Sequence, residues 1–545
     1  MEKTNADTTE TAQVKQPQNT PQTAETLVRQ GSALSLLTLV SRVLGLLREM
    51  TKARFLGTTA LADAFSVAFL LPNLFRRLFA EGSIAVAFIP TFKEYLLESN
   101  REKTKEFLSC IFTFLTFFVT LMVVIGILAA PLLVRIIGVE EFDETVFLTR
   151  IMFPFLAFIS LAALFQGVLN SFHVYSPSGF GPILLNIVTI FCAFALSRFT
   201  QNPARAMAVG VIIGGFLAMI IQLPFILKHG QTFFVTGLKR AFNNPGTRKV
   251  LRLISPTIIG MAAYQLNDLV STALAGRAGE GIVSSLQYSL RLQELFLGVF
   301  AVSIGTVLLP NLTEYAKTSQ WEIYNKRLGT SMNIIALVTI PITFFSLVEG
   351  QNLIRLLFQN EIFDDHSVSL TYVAFIFHIP GLFFIALNRI LAPAFYAQSD
   401  TKSPTIAGLI SFAVNIILAS ILVGPFRGAG IAFSLSFTSL INTVLLLVFL
   451  GRNANIKISI VVRPALFYIL RMIVLSAIAV IPVWFLSPWL KDLFAGNARI
   501  ISYGIPFVIN GFIFILLGFT MLVIVKDQHF LGIIGMIKKR LSSKG

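Results

Sequence analysis

Apolar positions in this chain run in long blocks, and polar and charged residues gather in the short stretches between them. A helix of about 20 apolar residues crosses the hydrocarbon core of a bilayer. Fourteen such spans are predicted, at roughly 30–52, 60–80, 107–135, 146–170, 179–198, 205–227, 252–275, 283–310, 330–349, 369–397, 404–424, 428–450, 464–487 and 501–525. One further stretch, 84–98, follows the second span with its own apolar run and Pro90. Residues 1–27, rich in Thr, Gln, Glu and Asn, read as a disordered tail, because they lack the basic start and apolar core of a signal peptide. Residues 527–545 read as a basic tail. The predicted fold class is an all-α polytopic membrane protein.

The blocks also repeat. Pro90 leads to Glu94-Tyr95, and Pro310 leads in the same register to Glu314-Tyr315, about 220 residues on. Asn186 and Asn415, each mid-span and some ten residues after a proline, recur at a similar interval. Six spans per repeat is an even number, so the halves share one orientation and pack about an axis along the membrane normal. Such an arrangement places a substrate site between them. The expected units are 28–228 (spans 1–6), 250–451 (spans 7–12) and 463–526 (spans 13 and 14).

Composition agrees with this class. Charged residues are 13% of the 545 positions and apolar ones 55%, with mean hydropathy +0.78; soluble domains average about 25% charged. The net charge of +16 does not indicate nucleic acid, because the cations lie between the spans. With the termini inside, the inner loops hold 22 Lys and Arg against 11 in the outer loops. That bias predicts cytoplasmic termini. Cys110 and Cys192 both fall inside apolar runs, which indicates packed thiols and not a disulfide framework.

Charges inside the spans are the informative residues. An Arg or Asp near a helix centre costs about 2.5–3.5 kcal/mol on insertion scales, so such groups are kept for a reason. The first span carries Arg42, Arg48 and Glu49; the second carries Asp63, Arg76 and Arg77, followed by Glu81; the eighth carries Arg291 and Glu294. Arg42 and Glu49, seven apart, share a helical face, as do Arg291 and Glu294, three apart. Arg76, Arg77, Lys52 and Arg54 lie near predicted interfaces, where snorkelling explains a cation equally well. Cations outnumber carboxylates among these sites, which suits an anion, and guanidinium forks suit phosphate oxygens.

An enzyme is not indicated. The five histidines fall in no metal-binding spacing, no phosphate-binding Gly-rich loop is present, and no cofactor or metal is expected. His378, mid-span beside Pro380, reads as a packed or helix-kink residue, and Asp364-Asp365 as a solvated loop pair. A membrane phosphatase or glycosyltransferase for polyprenyl diphosphates would need a nucleophilic His or an acidic metal cluster beside its arginines.

Several stretches together resemble the MurJ (MviN) family of lipid II flippases, within the multidrug/oligosaccharidyl-lipid/polysaccharide exporter superfamily. They are Ser41-Arg42-Val43-Leu44-Gly45 through Arg48, Ala62-Asp63-Ala64-Phe65, Leu71-Pro72-Asn73-Leu74 and Arg76-Arg77-Leu78-Phe79-Ala80-Glu81-Gly82. Others are Gln166 to Ser171, Arg291-Leu292 with Glu294, Leu309-Pro310, Leu391 to Tyr396 and Asp400 to Pro404. The resemblance covers about residues 30–525. It implies two six-helix lobes around a cationic cavity, and two last helices forming a groove for a polyprenyl tail. The implied cargo is the peptidoglycan precursor on undecaprenyl diphosphate, moved across the bacterial inner membrane. Arg42, Arg48 and Arg291 then match the family's cavity arginines, with Asp63, Arg76, Glu81 and Glu294 as supporting positions. Another exporter of the same superfamily, for drugs or a different polyprenyl-linked sugar, is the alternative.

The chain departs from the family pattern in places. After Gln359 it reads Asn360-Glu361 where a Gly and a basic residue are frequent, so that loop is assigned no headgroup contact; Glu49 stands where some relatives have Asp. Some members bind sodium through carboxylates in spans 7 and 11, positions that fall here at Ser271 and Ala419. The expectation is therefore no specific sodium site, with Asp268 pairing with a cation.

Overall fold

The computed structural model describes residues 24–79 and 83–542, and within them the side chains of 36–77, 87–254, 265–298 and 308–535. The predicted tail 1–27 lies outside them up to residue 23, and Glu81 lies outside them altogether.

Every regular element among the described residues is helical. The first set is α1 (Ala24–Leu56), α2 (Ala60–Phe79), α3 (Ser83–Leu97), α4 (Arg101–Ile137), α5 (Phe142–Met152), α6 (Phe155–Ser171), α7 (Ser176–Leu196), α8 (Pro203–Ile220), α9 (Leu223–Lys228) and α10 (Leu238–Asn243). The second is α11 (Pro245–Arg277), α12 (Ile282–Lys317), α13 (Trp321–Phe358), α14 (Asp365–His378), α15 (Gly381–Tyr396) and α16 (Lys402–Leu450). Last come α17 (Ile458–Leu493), a π-helical turn (Ile500–Gly504), α18 (Ile505–Ile524) and α19 (Gln528–Ser542).

Elements recur about 220 residues apart: α1 with α11, α2 and α3 with the single long α12, α4 with α13, and the broken pair α5–α6 with the broken pair α14–α15. The stretch 84–98 is thus the continuation of the second span. At 15 residues α3 is about 22 Å long, too short to cross the hydrocarbon alone.

α16 is a hairpin. The chain reverses at Arg427 (φ 47°), so Thr438 Oγ1 lies 3.4 Å from Asn415 Oδ1, 23 residues away. A straight helix would separate them by about 34 Å. Eight helices, or nine with α14–α15 (bent by 47°) taken as one, are long and apolar enough to cross a membrane among the described residues. The charge-bearing α1, α2, α11 and α12 are not among these, and α16 supplies two arms. The grouping is compatible with fourteen passes, although length and apolarity alone identify fewer.

The predicted basic tail is largely the helix α19, and it is docked. Asp527, 1% exposed, accepts from Arg471 Nη2 at 2.9 Å and Tyr468 Oη at 3.2 Å, and Phe530 is buried. His378 is buried at the α14–α15 break, its Nδ1 2.7 Å from Ser289 Oγ, as a packed kink residue should be. Cys110 and Cys192 are buried free thiols. Asp364 is not simply solvated: it caps α14 by accepting from Ser367 N at 2.9 Å, while Asp365 pairs with Arg355.

α7 and α8 pack closely because Gly210 and Gly214 let their backbones approach. A methyl on Gly210 would lie 2.7 Å from Thr189 Cα, and one on Gly214 2.9 Å from Leu185 Cα. Small residues four apart are how helices meet in lipid, where no hydrophobic force drives them together. Gly210→Val is expected to destabilise the fold by about 1–3 kcal/mol through overpacking. The check is the melting temperature of purified protein, and an unchanged value would show that these helices have slack.

Candidate functional site

Helices α1 and α12 run past each other, and each seats its arginine over the other's glycine. A methyl group on Gly298 would fall 1.6 Å from Arg42 Nη1; one on Gly45 would fall 1.9 Å from Arg291 Nη2. The two guanidinium groups therefore occupy space that only a glycine leaves open. Arg42 makes no ion pair among the described residues, and Arg291 has Glu294 Oε2 at 3.2 Å on its own helix. Glu294 is half exposed and so offsets little of that charge.

Toward the end of α1 lies a second cationic group. Arg48 Nη2 is 2.9 Å from Glu49 Oε1, and Lys52 Nζ is 3.1 Å from Glu49 Oε2. Glu49 thus pairs with its neighbours and not with Arg42, whose face the helical spacing gives it. Lys52, 3% exposed, is no snorkelling end: Nζ also donates to Ser66 Oγ and Gln287 Oε1, both at 3.2 Å, and sits 4.4 Å from the Tyr288 ring centre. Two of the ammonium's donors are used on Ser66 and Gln287, and its charge faces Glu49 Oε2. Lys52 therefore ties α1 to α2 and α12. Arg48 lies over the Phe69 ring at 5.1 Å, and a cleft lined by Arg48, Glu49, Lys52, Phe65, Phe69 and Gln287 opens beside it.

Asp63 lies apart from these arginines. It is 4% exposed, and its two oxygens accept from Gly281 N at 2.8 Å and Ser284 N at 2.7 Å. It caps the N-terminus of α12 from another helix, where free amides and the helix dipole favour a carboxylate. The favour is returned by Glu280, whose Oε1 accepts from Ala60 N at 2.8 Å at the start of α2. Tyr288 Oη donates to Gly57 O at 2.9 Å, and Thr58 Oγ1 to Ser367 Oγ at 2.8 Å. Gly57 (φ +58°) and Gly281 (φ +75°) permit the approach, since a methyl would meet Ile362 O at 2.6 Å and Thr58 O at 2.3 Å. These contacts close the bundle at this end.

Arg76 Nε donates to Asn73 Oδ1 at 3.0 Å on α2. Arg77 Nη1 reaches Asp268 Oδ2 at 2.9 Å and joins α2 to α11. Asp268 thus pairs with an in-span arginine, as expected. In the repeat, α2–α11 is the counterpart of α12–α1. One of these seams is neutralised by an ion pair, and the other keeps surplus cations. The polar group at Ser271 is neutral: Asn415 Nδ2 lies 2.7 Å from Asn267 Oδ1 and 3.4 Å from Ser271 Oγ.

Sequence reasoning singled out Arg42, Arg48, Arg291 and Glu294, and these share the α1–α12 seam. It missed the anchoring role of Lys52, which only its three contacts reveal, and the part played by Gly45 and Gly298. A glycine facing an arginine on another helix leaves no local signal.

The family model for the lipid II flippase MurJ matches residues 52–504. A probable lipid II flippase MurJ of Treponema pallidum is 46% identical over 508 residues, 92% of this chain and 96% of that protein. The lipid II flippase MurJ of Burkholderia cenocepacia is 34% identical over 422 residues, 76% of this chain and 81% of that protein. The fold is similar to a solved lipid II flippase MurJ in an inward closed conformation (TM-score 0.75, 23% identity, 91% of this chain, 99% of that one). It is also similar to an inward-facing multidrug resistance MATE family transporter of the MOP superfamily (TM-score 0.66, 12% identity, 79% of this chain, 99% of that one). The family match over most of the chain and the identity to its curated members place this protein in the lipid II flippase MurJ family.

Proposed function

We propose that this multi-pass membrane protein is a lipid II flippase of the bacterial inner membrane, moving the undecaprenyl-diphosphate-linked peptidoglycan precursor from the cytoplasmic to the periplasmic leaflet. The observation that carries the reading is the α1–α12 seam, where Arg42 and Arg291 are seated over glycines and left without a strong carboxylate partner. The name given to the Treponema pallidum and Burkholderia cenocepacia relatives supports the cargo.

The chemistry needs no enzyme and no cofactor. A diphosphate cannot enter hydrocarbon bare, since an ionised group loses its hydration at great cost. Arg42, Arg48 and Arg291 replace that hydration with charge-assisted hydrogen bonds, and Arg76, Glu81 and Glu294 set the charge around them. The polyprenyl tail stays in lipid, along a groove beside spans 13 and 14. Residues 28–228 and 250–451 act as two lobes that rock about the seam, so that the cavity faces each side in turn. Asp63 serves this cycle as a latch: its hold on the start of α12 is made in the closed arrangement and released when that end opens. The termini face the cytoplasm, and the end closed by Asp63 faces the periplasm.

Arg42→Ala, Arg48→Ala and Arg291→Ala are each expected to abolish growth support in a flippase-depleted cell, with membrane abundance near normal. Lipid II accessible on the outer leaflet should fall in parallel. Gly45→Ala and Gly298→Ala displace the same guanidinium groups without removing them, and transport should fall about tenfold, equivalent to about 1.4 kcal/mol. Growth support by all three arginine variants would refute the cationic-cavity mechanism.

The orientation is tested by single cysteines, against a low background because Cys110 and Cys192 are buried. Cysteines replacing Asn243 and Ser319 should react only from the cytoplasm, and those replacing Glu141 and Asp364 only from outside. Labelling of the Glu141 position from the inside alone would invert the topology.

A further inference from the structure

The last helix, α19, presents a surface that transport through the α1–α12 seam leaves unused. No linker separates it from span 14. The chain leaves α18 through Lys526 (φ 51°), whose N–H donates to Val523 O at 3.0 Å, while Asp527 N donates to Leu522 O at 2.9 Å. Asp527 then caps α19 by accepting from Phe530 N at 2.9 Å. The first turn of α19 is fixed to three helices. His529 Nε2 lies 3.0 Å from Asn333 Nδ2 of α13, and its ring meets Tyr468 of α17 edge-on at 5.1 Å. Phe530 packs against Phe519 of α18 at 4.9 Å, and Ile533 joins the same core. Asn333 and Tyr468 lie three and four positions inside the predicted spans 330–349 and 464–487, so α19 starts at the edge of the hydrocarbon.

Only part of its apolar face is covered. Leu531 and Ile534 are 41% and 42% exposed, and they continue the exposed apolar surface of Val523, Ile524 and Val525 at the end of α18. In sequence Ile537 and Leu541 extend the stripe of Phe530 and Ile534 at helical spacing, and Lys538 and Arg540 flank it. After Asp527 the chain holds Lys538, Lys539, Arg540 and Lys544 and no Asp or Glu. An apolar stripe edged by cations suits a bilayer interface, where the stripe enters the acyl chains and the cations meet headgroups. A cluster of cations next to a span is the pattern that attracts anionic lipid. A second copy of this helix would bring like charges together, and an aqueous setting would leave Leu531 and Ile534 in water.

We propose that α19 lies along the membrane surface and binds the headgroups of anionic phospholipids in the leaflet where span 14 ends. Asp527, held by Arg471 and Tyr468, is the clasp that keeps the start of the helix at that depth. Lipid charge thereby acts on the side of the protein formed by α13, α17 and α18. That this leaflet is the cytoplasmic one rests on the orientation proposed above; the attraction to anionic headgroups does not.

A fluorophore on Ile534→Cys in the full-length protein tests this, because Cys110 and Cys192 are buried. In nanodiscs of phosphatidylcholine mixed with phosphatidylglycerol, the neutral quencher acrylamide should quench the label less than in phosphatidylcholine alone. Raised salt should abolish that difference, since it screens headgroup charge. The difference should also be lost in Lys538→Gln/Lys539→Gln/Arg540→Gln, whose melting temperature in phosphatidylcholine should match that of the parent. Equal quenching in the two lipids overturns the proposal, because the helix would then stand in water or be held by apolar contact alone. A difference that persists in the triple variant overturns it too, since the headgroups would be acting through cations elsewhere. The salt arm is read on the parent protein, and a difference insensitive to salt overturns the proposal whether or not the triple variant folds. Protection seen only in vesicles at high protein density would mean that a second copy covers the helix, and would equally overturn it. None of these outcomes depends on whether the protein moves a lipid, so the flippase reading fails separately.

Discussion

A charge within the hydrocarbon must be compensated, and the rest of this structure is arranged around how that is done. Three solutions appear. Glu49 is held between Arg48 and Lys52, and Lys52 donates to Ser66 and Gln287. Asp63 spends its charge on two backbone amides at the start of α12. Arg42 and Arg291 have neither solution in full, and sit instead in glycine-made space between two helices. The first two arrangements hold the bundle together. The third leaves cationic charge that the described residues do not fully offset.

The internal repeat gives that asymmetry its meaning. The α2–α11 seam and the α1–α12 seam are equivalent positions in the two halves, yet only the former joins its two helices by an ion pair, Arg77 to Asp268, whereas the pairs of the latter, Arg48 with Glu49 and Arg291 with Glu294, each stay on one helix and Arg42 has none among the described residues. Had both been paired, neither would offer an anion more than a neutral surface does. The closed end adds the second requirement of alternating access, a contact that can be broken. Asp63 of α2 caps α12, Glu280 in the turn before α12 accepts from the start of α2, and a cap is worth about 1 kcal/mol, enough to bias a two-state equilibrium without locking it.

Much of this was legible in the sequence, and the exceptions have physical reasons. The long apolar blocks gave the helices, and the Pro-x-x-x-Glu-Tyr pair at Pro90 and Pro310 gave the repeat that the elements follow. Arg42, Arg48 and Arg291 stood out because a cation deep in a span has no structural excuse. Lys52 did not, because at the end of its predicted span it looked free to reach water; its acceptors on α2 and α12 come from distant sequence. The cap made by Asp63 joins positions some 218 residues apart, so no local spacing encodes it. Glu349 is the last residue of a predicted span and drew no reading, whereas Asn510 of α18 donates to it and Asn352 links it to Ser487 of α17. The hairpin within α16 was placed correctly by its short polar break, but the docking of α19 was hidden behind its basic composition.

The central claim is that the α1–α12 seam binds a diphosphate through its arginines. Equilibrium binding of lipid II to the purified protein in nanodiscs, compared with undecaprenyl monophosphate at the same ionic strength, measures this most directly. The account predicts tighter binding of the diphosphate, and a loss of at least about tenfold, or 1.4 kcal/mol, in Arg42→Ala and in Arg291→Ala. Equal affinity for the two lipids, unchanged in both variants, would contradict it.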